Sequence, residues 1–125
     1  MDATYVESLS SVHARPAHNG CTRGTAFQTG IARVAVFHVP PGAFIAPHKH
    51  TVNWDLFQGL TGRGAITVIS DDETTKFELV AGAFLAMPPG VVHTVTNESD
   101  EEFTFVLTQT PYDQYDYVRV GQEEE

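Results

Sequence analysis

The chain holds one cysteine, Cys21, among 125 residues, so it cannot close a disulfide on itself. A lone thiol fits a reducing compartment, and the cytoplasm is the expected location. No apolar run reaches the length that spans a bilayer, and the first residues, Met1 to Glu7, lack the basic start and apolar stretch of a secretion signal. No membrane partner is expected. Basic residues are scarce, with seven Lys and Arg against sixteen Asp and Glu and a formal net charge of −9. They are scattered, and a nucleic-acid partner, which needs a basic patch to release counterions, is not expected. Also missing are a phosphate loop, a dinucleotide fingerprint, a nucleophile elbow and a cysteine–histidine signature. No stretch sustains a 3.6-residue apolar period over helical length.

What is present is a succession of short β-type runs. Residues 1–30 give little periodic signal and are expected to form an irregular N-terminal arm, with His13 and His18 at its surface. From Ile31 the chain turns β-branched and aromatic until Pro40-Pro41-Gly42. Strands are then expected near Phe44, His48, Asp55, Gly64, Thr74, Phe84, His93 and Phe103, separated by Gly, Pro, Asn and Asp turns. The expected fold class is all-β, an antiparallel sandwich or barrel over residues 31–110 that carries the site. Residues 111–125 are expected to supply an edge segment and an acidic tail. Within that segment Tyr115, Tyr117 and Arg119 share one strand face, which suits an edge strand, a dimer arm or a tyrosine lid over a pocket.

Chemistry concentrates in two stretches. The first runs Gly42-Ala-Phe-Ile-Ala-Pro-His48-Lys-His50, with Asp55 and Gly62 following; the second runs Gly82-Ala-Phe-Leu-Ala-Met-Pro88-Pro-Gly90-Val-Val-His93-Thr-Val-Thr-Asn97. On a strand, residues two apart project to one face, so His48 and His50 can aim at one point. Asp55 lies at an odd offset from His50, and a turn or bulge at Thr51–Asn53 must intervene if it also points inward. Three imidazoles and a carboxylate suit one divalent transition metal, with Fe, Mn, Ni, Zn, Co and Cu all admissible and Mg or Ca less so.

Both stretches resemble the two signature motifs of the cupin superfamily. Every spacing holds, with Asp55 standing where the family usually has glutamate. The resemblance selects a jelly-roll β-barrel and implies His48, His50 and His93 as metal ligands, with Asp55 either the fourth ligand or standing behind them to accept a proton from a ligand histidine or a bound water, and Asp55 also the catalytic candidate. It further implies pairing into a homodimer. The expected substrate pocket is mostly apolar, with Phe57, Phe105, Gln109 and His38 as its lining and Arg33, Ile45, Val95 and Trp54 nearby. Such a site suits a small organic substrate. The expected function is a metal-dependent enzyme performing a dioxygenase-like oxidation. A metal-assisted isomerase, cyclase or lyase acting on a carbonyl compound and a non-catalytic binding module are the alternatives.

Overall fold

The computed structural model describes residues 2–120. In chain order the strands are β1 (Arg15–Pro16), β2 (Thr22–Gln28), β3 (Arg33–Val39), β4 (Phe44–Lys49), β5 (Trp54–Thr61), β6 (Arg63–Ile69), β7 (Thr74–Val80), β8 (Phe84–Met87), β9 (His93–Thr96), β10 (Phe103–Thr110) and β11 (Val118–Arg119). Single 3-10 turns at Leu9–Ser11 and Tyr112–Gln114 are the only helical pieces among the described residues. All pairings are antiparallel and form two sheets, a six-stranded one ordered β1-β2-β3-β10-β5-β8 and a five-stranded one ordered β11-β4-β9-β6-β7. The sheets face one another as the expected jelly-roll barrel.

Alternation drives the closure. On β10, Phe103, Phe105 and Leu107 point inward, and Phe105 stacks 5.1 Å from Phe37 on β3 and meets Phe57 on β5 at a tilt, 5.4 Å away. Each such ring contributes roughly 1.5–3 kcal/mol by leaving water. Two glycines make the fit possible. A Cβ on Gly64 would lie 2.1 Å from the Phe103 ring, and one on Gly59 would lie 1.9 Å from the Val80 carbonyl oxygen. Asn97 locks one end of the barrel: its amide donates to the carbonyls of Val39 and Glu101, and its oxygen accepts from the Ser99 backbone and hydroxyl.

Two boundaries differ from expectation. The sheet begins at Arg15 rather than Ile31, because β1 pairs with β2 and β2 pairs along β3 from Thr22↔His38 to Gln28↔Arg33. Small residues hide this strand in the sequence: Gly24 has no side chain because the backbone of Val12 and His13 lies where a Cβ would go. The runs around Phe44 and His48 are one strand, continuous through Pro47, with a register shift between Ile45 and His48. The acidic tail Glu123–Glu125 lies outside the described residues.

Candidate metal centre

The four motif residues come from both sheets. His48 on β4 is directly opposite His93 on β9 in the five-stranded sheet, and His50 follows at the end of β4. Asp55 is the second residue of β5 in the six-stranded sheet, opposite Gln109 and Met87. The chain bends through residues 51–53, which absorbs the odd offset and lets Asp55 point inward. The Pro88–Gly90 turn ahead of His93 is tied to the same place, since the Gly90 N–H donates to the His50 carbonyl at 2.7 Å with Gly90 at φ +85°. Glycine tolerates that backbone state where other residues are strained.

Ligand atoms of His48, His50, Asp55 and His93 all lie within 4.8 Å of one another, and all four residues are buried. Each imidazole is oriented by its Nδ1–H, which donates to a backbone carbonyl: Ala46 at 2.8 Å for His48, Asp116 at 2.5 Å for His50 and Val91 at 2.9 Å for His93. A carbonyl only accepts, so the lone pair of each neutral ring sits on Nε2. For His50 and His93 that atom faces Asp55 Oδ2, at 3.0 and 3.3 Å. Two acceptors do not attract, so a proton or a cation must lie between them. Two ligands held about 2.1 Å from one ion lie roughly 3.0 to 3.4 Å apart in octahedral or tetrahedral arrangement, which matches these separations. The residues therefore fit a single divalent ion, and three imidazoles favour a first-row transition metal over Mg or Ca.

Asp55 is 1% exposed, yet both oxygens are satisfied. Oδ1 accepts from Gln109 Nε2 at 3.0 Å and from Asn53 Nδ2 at 3.3 Å. Burial pushes its pKa up, but the hydrogen bonds and charges of His50 and His93 outweigh that and hold the carboxyl well below the usual range. Burial, reinforced by His93, pulls His48 down to about 3. His50 is raised: burial opposes its charge, but bonds to Asp55 and to the Asp116 carbonyl prevail.

The C-terminal segment closes the site. β11 pairs with β4 at the sheet edge, and the residues before it form a strap over the histidines. The Tyr117 ring stacks 4.5 Å from His48, and the Tyr115 ring lies 5.4 Å from His50. Thr51 ties the strap down by donating its backbone N–H and its hydroxyl to the Asp116 carboxylate, at 2.7 and 2.5 Å. The segment is thus both an edge strand and a cover. Beneath it the open space is about 20 Å³, room for one water molecule.

Of the expected pocket residues, Phe57, Gln109, Ile45 and Val95 line this cavity. Phe105 stands one layer behind, between Phe37 and Phe57. Trp54 is exposed. His38 does not reach the cavity: it alternates with inward-facing Phe37, and its ring bonds Glu102 at 3.3 Å near the surface. Its apolar neighbours misled because the outer face of β3 is covered as well, with Val36 fully buried. His18, expected at the surface, lines the cavity instead, its ring 5.3 Å from Tyr117 and 6.4 Å from Phe37. Nothing in an irregular arm marks such a residue. Arg33 also lines it and is 6% exposed.

The barrel has close structural relatives. An uncharacterized conserved protein with a double-stranded beta-helix domain from Klebsiella pneumoniae superposes with a TM-score of 0.78 at 24% identity, over 94% of this chain and 99% of that one. An oxalate oxidase superposes with a TM-score of 0.74 at 16% identity over 93% of this chain, and an oxalate decarboxylase with 0.73 at 24% over 92%. This chain spans 63% of the oxidase and 32% of the decarboxylase, so these likenesses speak for the fold. No curated protein matches the sequence. The family model for the cupin domain matches residues 35–108, more than half of the chain, and on that match the protein belongs to the cupin family.

Proposed function

We propose that this protein is a mononuclear metal-dependent enzyme that oxidises a small organic substrate in a dioxygenase-like reaction. The observation that carries the reading is the orientation of the three imidazoles, each with its Nδ1–H held by a carbonyl and its Nε2 directed at the space beside Asp55. A bound transition metal supplies Lewis acidity and, for redox-active ions, an oxygen-binding centre. The chain's residues do the rest. Asp55 lowers the positive charge of the site and is itself positioned by Gln109 and Asn53. Phe37, Phe57 and Leu107 form an apolar wall, and Tyr115 and Tyr117 keep out water. A dry site strengthens electrostatic contacts and protects reactive species from side reactions. The related oxalate oxidase and decarboxylase lend support to oxidation or carbon–carbon cleavage of a small oxygenated molecule.

Elemental analysis of protein purified without chelators, followed by oxygen-electrode assays of the iron- and manganese-loaded forms with diketones, phenols and small organic acids, tests this reading. Stoichiometric metal and substrate-dependent oxygen uptake are expected. Protein that stays empty when offered iron, manganese, nickel, cobalt, copper and zinc overturns it.

His18 favours a second reading, proton transfer on a carbonyl compound. It lines the cavity, its ring makes no hydrogen bond among the described residues, and burial together with the nearby Arg23, Arg33 and Arg119 lowers its pKa. A neutral imidazole facing substrate space can act as a general base. Metal-dependent deuterium incorporation from solvent without oxygen consumption, abolished by His18→Gln, would favour this reading over oxidation.

A further inference from the structure

Arg33 is a buried cation with no direct ion pair among the described residues. One Nη donates to Gln109 Oε1 and the other to the Tyr112 hydroxyl at 3.1 Å. The Tyr112 and Tyr115 rings lie 4.9 and 5.2 Å from its Cζ. These partners are neutral. Among the described residues no carboxylate pairs with Arg33, and its buried Nε–H has no acceptor. A guanidinium offers five N–H donors, so most of this one's capacity is unused. An isolated buried charge is costly, and native interiors pair such groups. Arg33 lies on the wall of the same cavity as His48, His50 and Asp55.

A second feature lies on the neighbouring strands. Arg15 on β1 and Arg23 on β2 are directly opposite in the ladder. Like charges at opposed positions destabilise a strand pair. Both line an open groove of about 360 Å³ with His13, Pro16 and Thr25. Neither has an ion pair among the described residues. In a chain of net charge −9 with seven basic residues, three arginines thus line the approach from β1 and β2 to β3, with Arg23 in electrostatic reach of Arg33 and no ion pair to any of them among the described residues.

We infer that this approach is an anion site, in which Arg33 receives the carboxylate of a small organic acid and Arg15 and Arg23 draw it in. A planar guanidinium with a free Nε–H suits a planar two-oxygen anion. The inference rests on the reading of the cavity as the substrate site and narrows its substrate class to carboxylates. Gln109 connects the two ends: it accepts from Arg33 and donates to Asp55, so an acid held by Arg33 is placed beside the metal donors. Because the closed cavity has room only for a water, the acid must enter with displacement of the tyrosine strap.

The test is a titration of the full-length protein, metal-free and zinc-loaded, with propionate, its neutral isostere propionamide, and inorganic phosphate. Binding is read by calorimetry and by the side-chain 15Nε resonance of Arg33. Saturable binding of propionate that moves this resonance is expected, with propionamide and phosphate at least about tenfold weaker. Arg33→Gln should weaken propionate about tenfold or more. Arg23→Gln, at a site that carries no core packing, should cost severalfold and flatten the salt dependence, which keeps the test usable if Arg33→Gln misfolds. Equal binding of propionamide, tighter binding of phosphate, or no saturable shift overturns the carboxylate assignment. Metal content is measured on the same samples. An empty but propionate-binding protein defeats the metal reading alone, and a loaded protein indifferent to propionate defeats the anion site alone.

Discussion

His50 gives its Nδ1 proton to the backbone carbonyl of Asp116, 2.5 Å away and 66 positions further along the chain. A candidate metal donor is therefore oriented by the strap that covers it. The carbonyls that serve His48 and His93 come from two residues earlier in the chain, so of the three His50 alone depends on the C-terminal segment.

Truncation after Pro111 should consequently lower metal affinity by about 10- to 100-fold, the usual effect of losing a group that holds a ligand histidine. Asp116→Ala keeps the carbonyl and loses only the tie to Thr51, so its affinity should fall by less than about tenfold. Competition titration against a chromogenic chelator measures both. Equal losses in the two variants would show that the carbonyl plays no part.

The histidine shifts set opposite slopes for stability against pH. His50 is raised, so its contribution is full below the ordinary imidazole value and fades as pH rises through its folded pKa. His48 is lowered to about 3, so below that ordinary value the unfolded chain takes a proton that the folded one refuses, and stability falls with acid. Asp55, held low, adds a further loss once pH drops below the usual carboxylate range. The metal-free protein should melt highest near roughly pH 6.5. Metal competes with the His50 proton, so the stabilisation conferred by added zinc should grow as pH rises from about 6 to 8. Thermal scans with and without zinc across that range check both statements.

Two glycines separate steric from conformational cost. Gly59→Ala drives a methyl into a backbone carbonyl that cannot step aside, and a loss of about 3 kcal/mol is expected. Gly82, at φ +88°, has no atom within 4 Å of the place a methyl would occupy, so Gly82→Ala should cost only about 1 kcal/mol, from backbone strain. Urea unfolding of the two variants gives the comparison.

Cys21 is buried, and desolvation lifts its thiol to about 11. At pH 8 it should resist a disulfide-exchange reagent in the folded protein and react fully in denaturant. Rapid labelling of native protein would show that the β1–β2 corner opens readily.

The sequence made the metal residues visible because their spacing is local and their chemistry specific. Gly42, Gly82, Pro88 and Gly90 are turn formers that bracket His48, His50 and His93, and the bend needed before Asp55 lies at residues 51–53. The strands from Phe44 to Phe103 were legible for a related reason, since alternation and turn residues coincide there. Legibility failed where a residue's role depends on distant partners. Strand β2 reads as irregular because Gly24 is shaped by the backbone of Val12 and His13. His18 and His38 look equally ordinary along the chain, and only the closing of the barrel sends one inward and the other to Glu102. Arg33 was visible as a nearby polar residue, but its lack of an ion pair among the described residues is a property of the fold.

Asp55 comes from one sheet, His48 and His93 from the other, and His50 directly follows β4 of that second sheet. The donor set straddles the seam of the sandwich, so it exists only while the two layers hold their distance and register. An ion seated there would act as a rivet. Its spectrum would report any parting of the layers before a single strand had frayed.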